Sequence, residues 1–389
     1  MMTENHLELA AGLNIKFDLP LFILSSKYKN YLKYKLNIFC QNKGSENKAG
    51  SSFVSVSEKH EISMHEDRLK KEFESKRLWL KKTSGTSGAR TNIYYDDNFY
   101  FEQLFLNIHK ILYNFDPHFE TKKFNIVSIM GNVKWGDELF IDPCNTGMAH
   151  FRLSFDERSL STVSQFIKKI NVLQPRVIIL KPSLFLALDK CMEQLDSRFN
   201  FEVELVISSG QYLDSITENL ISERLNCSIY DCYIASESGL IGWRKISQDE
   251  FNIDRSNISE ICVNKEGKIL VTTNSNTAIG LVNYNIGDKG RILGSDHFIL
   301  NEGRVVPVVT NENNQIIDLS RFDHVAFEVI SASDYKIEIQ NKFFNVYLDI
   351  PTENSKTNYI ISNFFNTNNF KVFPIEEAPE SFTSRYLIK

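Results

Sequence analysis

Short apolar runs and helically spaced apolar residues take turns along the middle of the chain. Runs typical of buried strands lie at 125–130 (NIVSIM), 177–180 (VIIL), 203–207 and 227–230. Between them, apolar residues recur at helical spacing in two segments, Leu160, Val163, Phe166, Ile167 and Ile170, and then Ile216, Leu220, Ile221 and Leu225. Strands that alternate with helices predict an α/β fold with parallel pairing of the strands.

Two sequence signals predict where helices of this region begin. Ser183 follows Pro182 directly after the run at 177–180, and we expect its hydroxyl to cap a helix that starts there. Further on, Ser215 and Glu218 have the spacing of a capping box, in which each side chain bonds a free backbone N–H at the helix start. A helix is therefore predicted to begin at each of these serines.

The pattern changes towards the C-terminus, and the change defines the predicted domains. Strand-like runs at 261–263 and 269–272 flank the sequence Asn-Lys-Glu-Gly, which is typical of a hairpin. Beyond 303, a strand, a helix and a strand are predicted in turn at 346–350, 356–366 and 370–373. We therefore expect a large N-terminal unit over 1–302, with parallel sheets flanked by helices plus a β-rich subdomain, and a small α+β lobe over 303–389.

The N-terminal part of the sequence shows no targeting pattern. It begins with acidic and polar residues, MMTENHLELAAGLN, instead of a basic segment followed by an apolar one. No run in the chain reaches the roughly 18 apolar residues that a spanning helix needs. The polar stretch 41–57 predicts a surface loop behind an N-terminal helical region of about 40 residues. We expect a cytoplasmic protein with no membrane partner.

Composition and charge narrow the class of function. The 389 residues are 42% apolar and 24% charged, as in ordinary globular proteins. A net charge of -5 and a pI near 6.0 provide no basic field, so nucleic acid is excluded as an expected partner. The 6 cysteines contain no CxxC pair and no zinc-site spacing, so we expect them to be reduced and mostly buried.

The segment 81–90 (KKTSGTSGAR) is the most informative one for chemistry. Glycines that alternate with small hydroxyl residues let the backbone approach an anion closely, with several N–H and O–H donors directed at it. It lacks the lysine and the Ser/Thr of a Walker A sequence. One alternative is a flexible Ser/Gly linker. The other is a phosphate loop made by Thr83, Ser84, Gly85, Thr86, Ser87 and Gly88.

Four further segments follow in an order that strengthens the second alternative. They are 208–211 (SSGQ), 231–237 (DCYIASE), 266–272 (EGKILVT) and 283–291 (NYNIGDKGR). With the loop at 83–88, they resemble in order the TSGTTG, G-[GA]-E, YD-x-YG-x-[TS]-E, EGELVVT and RYRTGDLGR motifs of the acyl-adenylate-forming superfamily. The likeness covers roughly 80–305, and its pattern is closest to the phenylacetate-CoA ligase branch. The joint order matters because each motif alone is weak.

The resemblance implies a role for each motif residue. Glu237 would hold Mg²⁺, and Ser236 would donate to the α-phosphate of ATP. Tyr233 would stack on adenine or close its pocket, and Asp288 would accept hydrogen bonds from the ribose hydroxyls. The remaining nucleotide contacts are assigned to the loop Thr83–Gly88 and to Ser209, Gly210, Gln211 and Asp231. Taken singly, a tyrosine or an aspartate in these positions is more typical of a core or a turn.

The likeness also implies a substrate and an acceptor. The acyl pocket would be lined by Trp135, Gly239 and Leu240. The reaction would use ATP and Mg²⁺ to convert a small carboxylic acid into an acyl adenylate. The acyl group would then pass to a thiol, either of CoA or of the phosphopantetheine on a carrier protein.

Several positions depart from the motifs. Ile234 stands where the family has glycine, and Gln211 stands where it has glutamate. The catalytic lysine expected near the chain end is missing, because only Lys389 lies nearby. A well-placed cation contributes several kcal/mol to such a step. Without that lysine, adenylation would either be slow or recruit another cation, such as Arg304.

Two other functions remain open on the sequence. The acyl group could pass to an amine or a protein side chain, and nothing in the sequence separates this acceptor from a thiol. The chain could also bind a nucleotide or an acyl group without turnover, as Ile234, Gln211 and the missing lysine suggest. Retention of Glu237, Asp288 and the hydroxyl-rich loop favours the ligase.

Overall fold

The computed structural model describes most of the chain after residue 92. The described residues are 8–17, 30, 32–33, 36, 54–64, 79–82, 92–95, 97–118, 124–130, 137–141, 148–273, 279–302, 308–319, 322, 325–330, 332, 335–349, 355–379 and 386–388. None of the helices among them has the length and apolar character needed to cross a lipid bilayer.

The described elements begin with strands and helices that lead into a βαβ region. The first strands are β1 Lys16–Phe17, β2 Val54–Val56, β3 Trp79–Lys82, β4 Asn92–Tyr95, β5 Phe124–Met130, β6 Glu138–Ile141, β7 Met148–Ser154, β8 Val177–Leu180, β9 Leu205–Ser209 and β10 Ser228–Ala235. The helices of this part are α1 Lys59–Met64, α2 Asp97–Phe101, a π-helix Glu102–Leu106, α3 Asn107–Phe115, α4 Leu160–Leu173, α5 Pro182–Gln194 and α6 Ser215–Leu225.

Strands dominate the rest of the chain. They are β11 Gly239–Lys245, β12 Phe251–Ile253, β13 Ile258–Val263, β14 Lys268–Thr273, β15 Ile279–Leu281, β16 Tyr284–Leu293, β17 His297–Glu302, β18 Val308–Thr310, β19 Ile316–Asp318, β20 Tyr335–Gln340, β21 Phe343–Leu348, β22 Phe370–Pro374 and β23 Tyr386–Ile388. A π-helix Val325–Ile330, the α-helix α7 Ser355–Phe365 and a 3₁₀ turn Ile375–Glu377 complete the set.

A sheet of 13 strands forms the centre of the protein, in the order β1-β6-β7-β5-β8-β9-β10-β11-β12-β17-β16-β14-β13. The strands β7, β5, β8, β9 and β10 pair in parallel. From β10 onwards every pairing is antiparallel. The α/β class and the parallel pairing are therefore confirmed, and so is the hairpin of β13 and β14.

Both faces of the parallel strands are covered, because their side chains alternate between two apolar clusters. One face, here called the α4–α6 face, buries Ile178, Leu180, Val206 and Ile229 against Val163, Phe166, Leu184, Phe185 and Ile221. The other, here called the α3 face, buries Val177, Leu205, Ile207, Tyr230 and Cys232 against Ile111, Leu112, Leu240 and Trp243. Burial on both faces explains the continuous apolar runs that the sequence shows.

A separate four-stranded sheet lies near the C-terminal end of the chain, in the order β22-β21-β20-β23. It has its own apolar cluster with α7, which includes Ile337, Phe344, Ile361 and Phe365. The hairpin of β18 and β19 contacts both parts, since Ile316 packs on the α4–α6 face and Ile317 packs in the C-terminal cluster. The predicted boundary at 302/303 stays a prediction, because 303–307 lie outside the described residues.

Arg158 also joins the C-terminal helix to the main unit. Its guanidinium donates through Nη1 to the carbonyl oxygens of Asn363 and Phe364, at 3.4 and 3.3 Å. Nearby, Lys190 Nζ donates to the carbonyl of Val308 at 3.1 Å. These polar contacts supplement the apolar packing of Ile316.

The two N-cap residues differ from the predicted serines by one or two positions. The helix α5 begins at Pro182 with Lys181 as its N-cap, because a proline fits the first helical position, where no N–H is needed. The helix α6 is capped by Asp214, whose carboxylate accepts from the N–H groups of Ile216 and Thr217. Asp214 occupies the position that Ser215 was expected to hold, and no capping box is formed.

Some predicted core and loop positions also differ. Leu160 and Ile216, in the first turns of α4 and α6, are 39% and 79% exposed, so neither is a core position. The strand predicted at 203–207 is observed as β9, shifted to Leu205–Ser209. Within the predicted loop 41–57, the described residues 54–56 form β2, which pairs in parallel with β15.

Candidate active site

The carboxyl ends of three neighbouring parallel strands meet at one edge of the main sheet. Leu180 of β8 lies opposite Ser208 of β9, and Ser209 lies opposite Cys232 of β10. The segments that follow these strands start at Lys181, Gly210 and Ser236. Ligands of open α/β sheets bind at such an edge. Two of the predicted motif segments, Ser209–Gln211 and Ser236–Glu237, thus lie at the carboxyl ends of two neighbouring strands.

The segment 208–211 is held by the helix that precedes it. Gln211 Oε1 accepts a hydrogen bond at 3.0 Å from the backbone N–H of Ser183, in the first turn of α5. This bond satisfies one of the N–H groups that every helix start leaves without an intrahelical partner. Gly210 has φ +81°, a backbone conformation that side chains disfavour. The loop shape therefore depends on the glycine and on the amide oxygen of Gln211.

Tyr233 and Asp288 come from motifs that lie 55 residues apart, and they contact each other directly. The Tyr233 hydroxyl donates to Asp288 Oδ2 at 2.7 Å. The ring of Tyr233 packs against Phe298 and Phe251, with centroid distances of 5.7 and 6.3 Å. Asp288 lies in β16, and both residues are half-buried. The two residues predicted for adenine and ribose are thus neighbours.

Two tyrosines surround Glu237. Tyr284 donates its hydroxyl to the Glu237 carboxylate, and Tyr95 Oη donates to the carbonyl oxygen of Ser236 at 2.8 Å. Burial raises the pKa of both phenols, and the nearby Glu237 carboxylate raises them further. Both hydroxyls therefore stay protonated donors at neutral pH. The motif comparison predicts no role for either tyrosine. Tyr284 lies within the segment 283–291, and Tyr95 follows the glycine-rich loop by only a few residues.

Asp231 has a different set of contacts. Its Oδ2 accepts from Arg244 Nε at 3.2 Å, and Arg244 Nη2 lies 3.8 Å from Glu218. Asp231 is buried, and burial raises its pKa to about 6 although Arg244 opposes the shift. Its carboxylate is thus engaged in a buried ion pair between β10 and β11. A role in nucleotide binding stays a prediction.

The predicted acyl-pocket residues Gly239 and Leu240 lie at the start of β11. Gly239 has φ +77°, and a Cβ there would lie 2.2 Å from Gln103 Nε2 in the first π-helix. Leu240 is fully buried within the cluster of the α3 face. Asn257 Nδ2 donates to the carbonyl oxygens of Ser238 and Leu240, each at 2.7 Å. The segment is therefore held by Gln103 at Gly239 and by the hydrogen bonds of Asn257. The sequence analysis did not predict the contact with Gln103.

Other predicted site residues lie outside the described residues. They are the phosphate loop Thr83–Gly88, Trp135 and Arg304. Their proposed roles remain predictions from the sequence.

Known proteins resemble the chain in structure only. No protein-family model matches the sequence, and no curated protein matches it. The fold is similar to that of a solved acyl-CoA ligase, 2-hydroxyisobutyryl-CoA ligase. A structure of 2-hydroxyisobutyryl-CoA ligase with 2-HIB-AMP and CoA, in the thioesterification state, has a TM-score of 0.52 at 12% identity and covers 100% of this chain and 90% of its own. The same ligase in the postadenylation state with R3-HIB-AMP gives a TM-score of 0.50 at 12% identity, with coverage of 95% and 87%.

Proposed function

We propose that the chain activates a carboxylic acid with ATP as an acyl adenylate and then transfers the acyl group to a thiol. The observation that supports this proposal is the carboxyl edge of the sheet, where Gly210–Gln211 follow β9 and Ser236–Glu237 follow its neighbour β10. The Tyr233–Asp288 contact extends the same set of motif residues to the antiparallel strands. A shared edge is what one nucleotide would need in order to contact all of these segments.

The residues at this edge suit the two steps of the proposed reaction. In the first step, a carboxylate oxygen of the acid attacks the α-phosphorus of ATP, the bond to the β-phosphate oxygen breaks, and pyrophosphate leaves. Ser236 is the hydroxyl donor for the α-phosphate, and Asp288 accepts from the ribose. In the second step, a thiolate attacks the acyl carbon and AMP leaves. The acceptor is the thiol of CoA or of a carrier protein, and CoA is tried first because the structurally similar ligase binds it.

Glu237 fits the single protein carboxylate of a nucleotide-bound Mg²⁺. Such an ion is held by one or two carboxylates together with phosphate oxygens. The described part of the chain contains no group of three or more His, Cys, Asp or Glu side chains able to cage a metal without a nucleotide. Tyr284 fixes the orientation of the Glu237 carboxylate from one side. The ion, when bound, neutralises phosphate charge that would otherwise repel the attacking carboxylate.

Carboxylate-dependent exchange of pyrophosphate into ATP tests the proposal. The panel contains aryl acids first, because of the likeness to the phenylacetate-CoA ligase branch, and then fatty acids and amino acids. We expect exchange with one of these classes and its loss in Glu237→Gln. ATP binding without exchange for any acid would overturn the ligase proposal in favour of nucleotide binding alone. Addition of CoA, or of a carrier protein that bears phosphopantetheine with a free thiol, to the active mixture then identifies the acceptor.

A further inference from the structure

Lys181 lies at the carboxyl edge of the sheet, in a position that the sequence motifs do not include. It follows the last residue of β8 and has the extended backbone angles φ -96° and ψ 140°. Side chains alternate along a strand, and Val177 and Ile179 both belong to the α3 face. Lys181 continues that series, so its side chain leaves the strand on the same face, at the open end of the apolar cluster.

The aliphatic part of the Lys181 side chain packs against the loop that contains Gly210. A Cβ on Gly210 would lie 3.5 Å from Lys181 Cε and 3.9 Å from its Cγ. The side chain is thus placed against the glycine of the loop that Gln211 anchors. Lys181 and Gly210 thus leave the same edge of the sheet side by side.

The ammonium has no counter-charge in the described part of the chain. Lys110 and Lys169 pair with Asp254 and Asp137, each at 2.5 Å, whereas Lys181 is exposed and has no such partner there. Lys181 also caps the N-terminus of α5, where the helix dipole disfavours a cation. A cation in an unfavourable place for its own helix and without a carboxylate partner is placed to receive an anion from a ligand.

We propose that Lys181 binds the carboxylate of the acid substrate during adenylation, an inference that rests on the proposed function. Of the described residues that follow β8, β9 and β10 at this edge, from 181 to 183, 210 to 211 and 236 to 237, Lys181 is the one with a cationic side chain. The attacking carboxylate and the α-phosphate are both anionic, so their approach requires positive charge. Lys181 holds one carboxylate oxygen while the other attacks phosphorus and pyrophosphate leaves.

The test compares Lys181→Met and Lys181→Arg with the control Lys265→Met. Lys265 is an exposed lysine in the turn between β13 and β14, so its loss removes the same charge away from the edge. Exchange is measured against the concentrations of the acid and of ATP with the most active acid of the panel. In Lys181→Met, we expect the KM for the acid to rise about 10- to 100-fold, as for a lost charge-assisted hydrogen bond. The KM for ATP should stay within about twofold of the wild type.

The two companion variants and the melting temperature separate binding from folding. Lys181→Arg should recover part of the affinity for the acid, and Lys265→Met should behave as the wild type. The melting temperature of Lys181→Met should equal or exceed that of the wild type, because a cation is removed from a helix N-cap.

Three results would overturn the inference, and they differ in what they say of the proposed function. An unchanged KM for the acid in Lys181→Met, with exchange abolished in Glu237→Gln, rejects the role of Lys181 and leaves the ligase function intact. A rise in the KM for ATP instead would place the ammonium on the nucleotide. Absence of exchange in the wild type with every acid would reject both proposals.

Discussion

Gly239 offers a quantitative test of how tightly the segment after Glu237 is held. Its φ of +77° costs an L-residue roughly 1–2 kcal/mol of folding free energy. In Gly239→Ala the new methyl group would lie 2.2 Å from Gln103 Nε2, so Gln103 must move. That movement breaks the hydrogen bond from Asn107 Nδ2 to Gln103 Oε1, which is 3.1 Å long and contributes about 1 kcal/mol. We expect a total loss of about 2–3 kcal/mol.

Gly267→Ala is a matched control for the free-energy cost of placing an L-residue at positive φ. Gly267 has φ +80°, and a Cβ there would have no heavy atom within 4 Å. Its replacement should incur only this cost of roughly 1–2 kcal/mol. Urea unfolding of both variants, each with and without Gln103→Ala, completes a double-mutant cycle. Equal losses for the two glycines, or a difference that persists in the Gln103→Ala background, would refute the contact with Gln103.

Three further outcomes are expected. Glu237→Ala should lower pyrophosphate exchange by at least about 100-fold with little change in melting temperature, and full activity or an unfolded variant would contradict its proposed role. Because burial raises the pKa of Asp231 from 3.8 to about 6, the folded state holds its proton more tightly than the unfolded state. The free energy of unfolding should therefore fall as pH rises through about 4 to 6, by up to about 3 kcal/mol, and urea titrations of Asp231→Asn should lack this slope. A fragment that ends at Glu302 should unfold cooperatively but at a lower temperature, since Ile316 no longer covers α5, and insolubility of the fragment would contradict the predicted boundary.

The sequence was sufficient for features that depend on local pattern. Burial on both faces produces the apolar runs of β5 and β8, and a single buried face produces the helical spacing in α4. The hairpin of β13 and β14 follows from its turn residues, because Gly267 supplies the positive φ that the turn needs. Parallel pairing of β9 and β10 then places the motif segments that follow these two strands at the same edge of the sheet.

Helix starts and side-chain partners were not predictable in the same way. Ser215 and Asp214 are both good caps, and the choice depends on which residue leaves the helix with extended backbone angles. The tyrosines beside Glu237 were missed because Tyr95 reaches Ser236 across 141 positions of sequence. The contact between Gln103 and Gly239 requires a π-helix, for which the sequence has no recognised signal.

The two departures from the motifs are compatible with the contacts that the structure shows. Gln211 replaces a glutamate, yet its Oε1 accepts the Ser183 N–H, a bond that needs an acceptor oxygen and no charge. Ile234 replaces a glycine, and its side chain packs against the cluster on the α3 face, beside a register shift between β10 and β11. Neither change removes a donor or acceptor from the edge of the sheet. The proposed chemistry therefore depends less on these two positions than on a source of positive charge for the acid, and Lys181 is placed at the same edge to supply it.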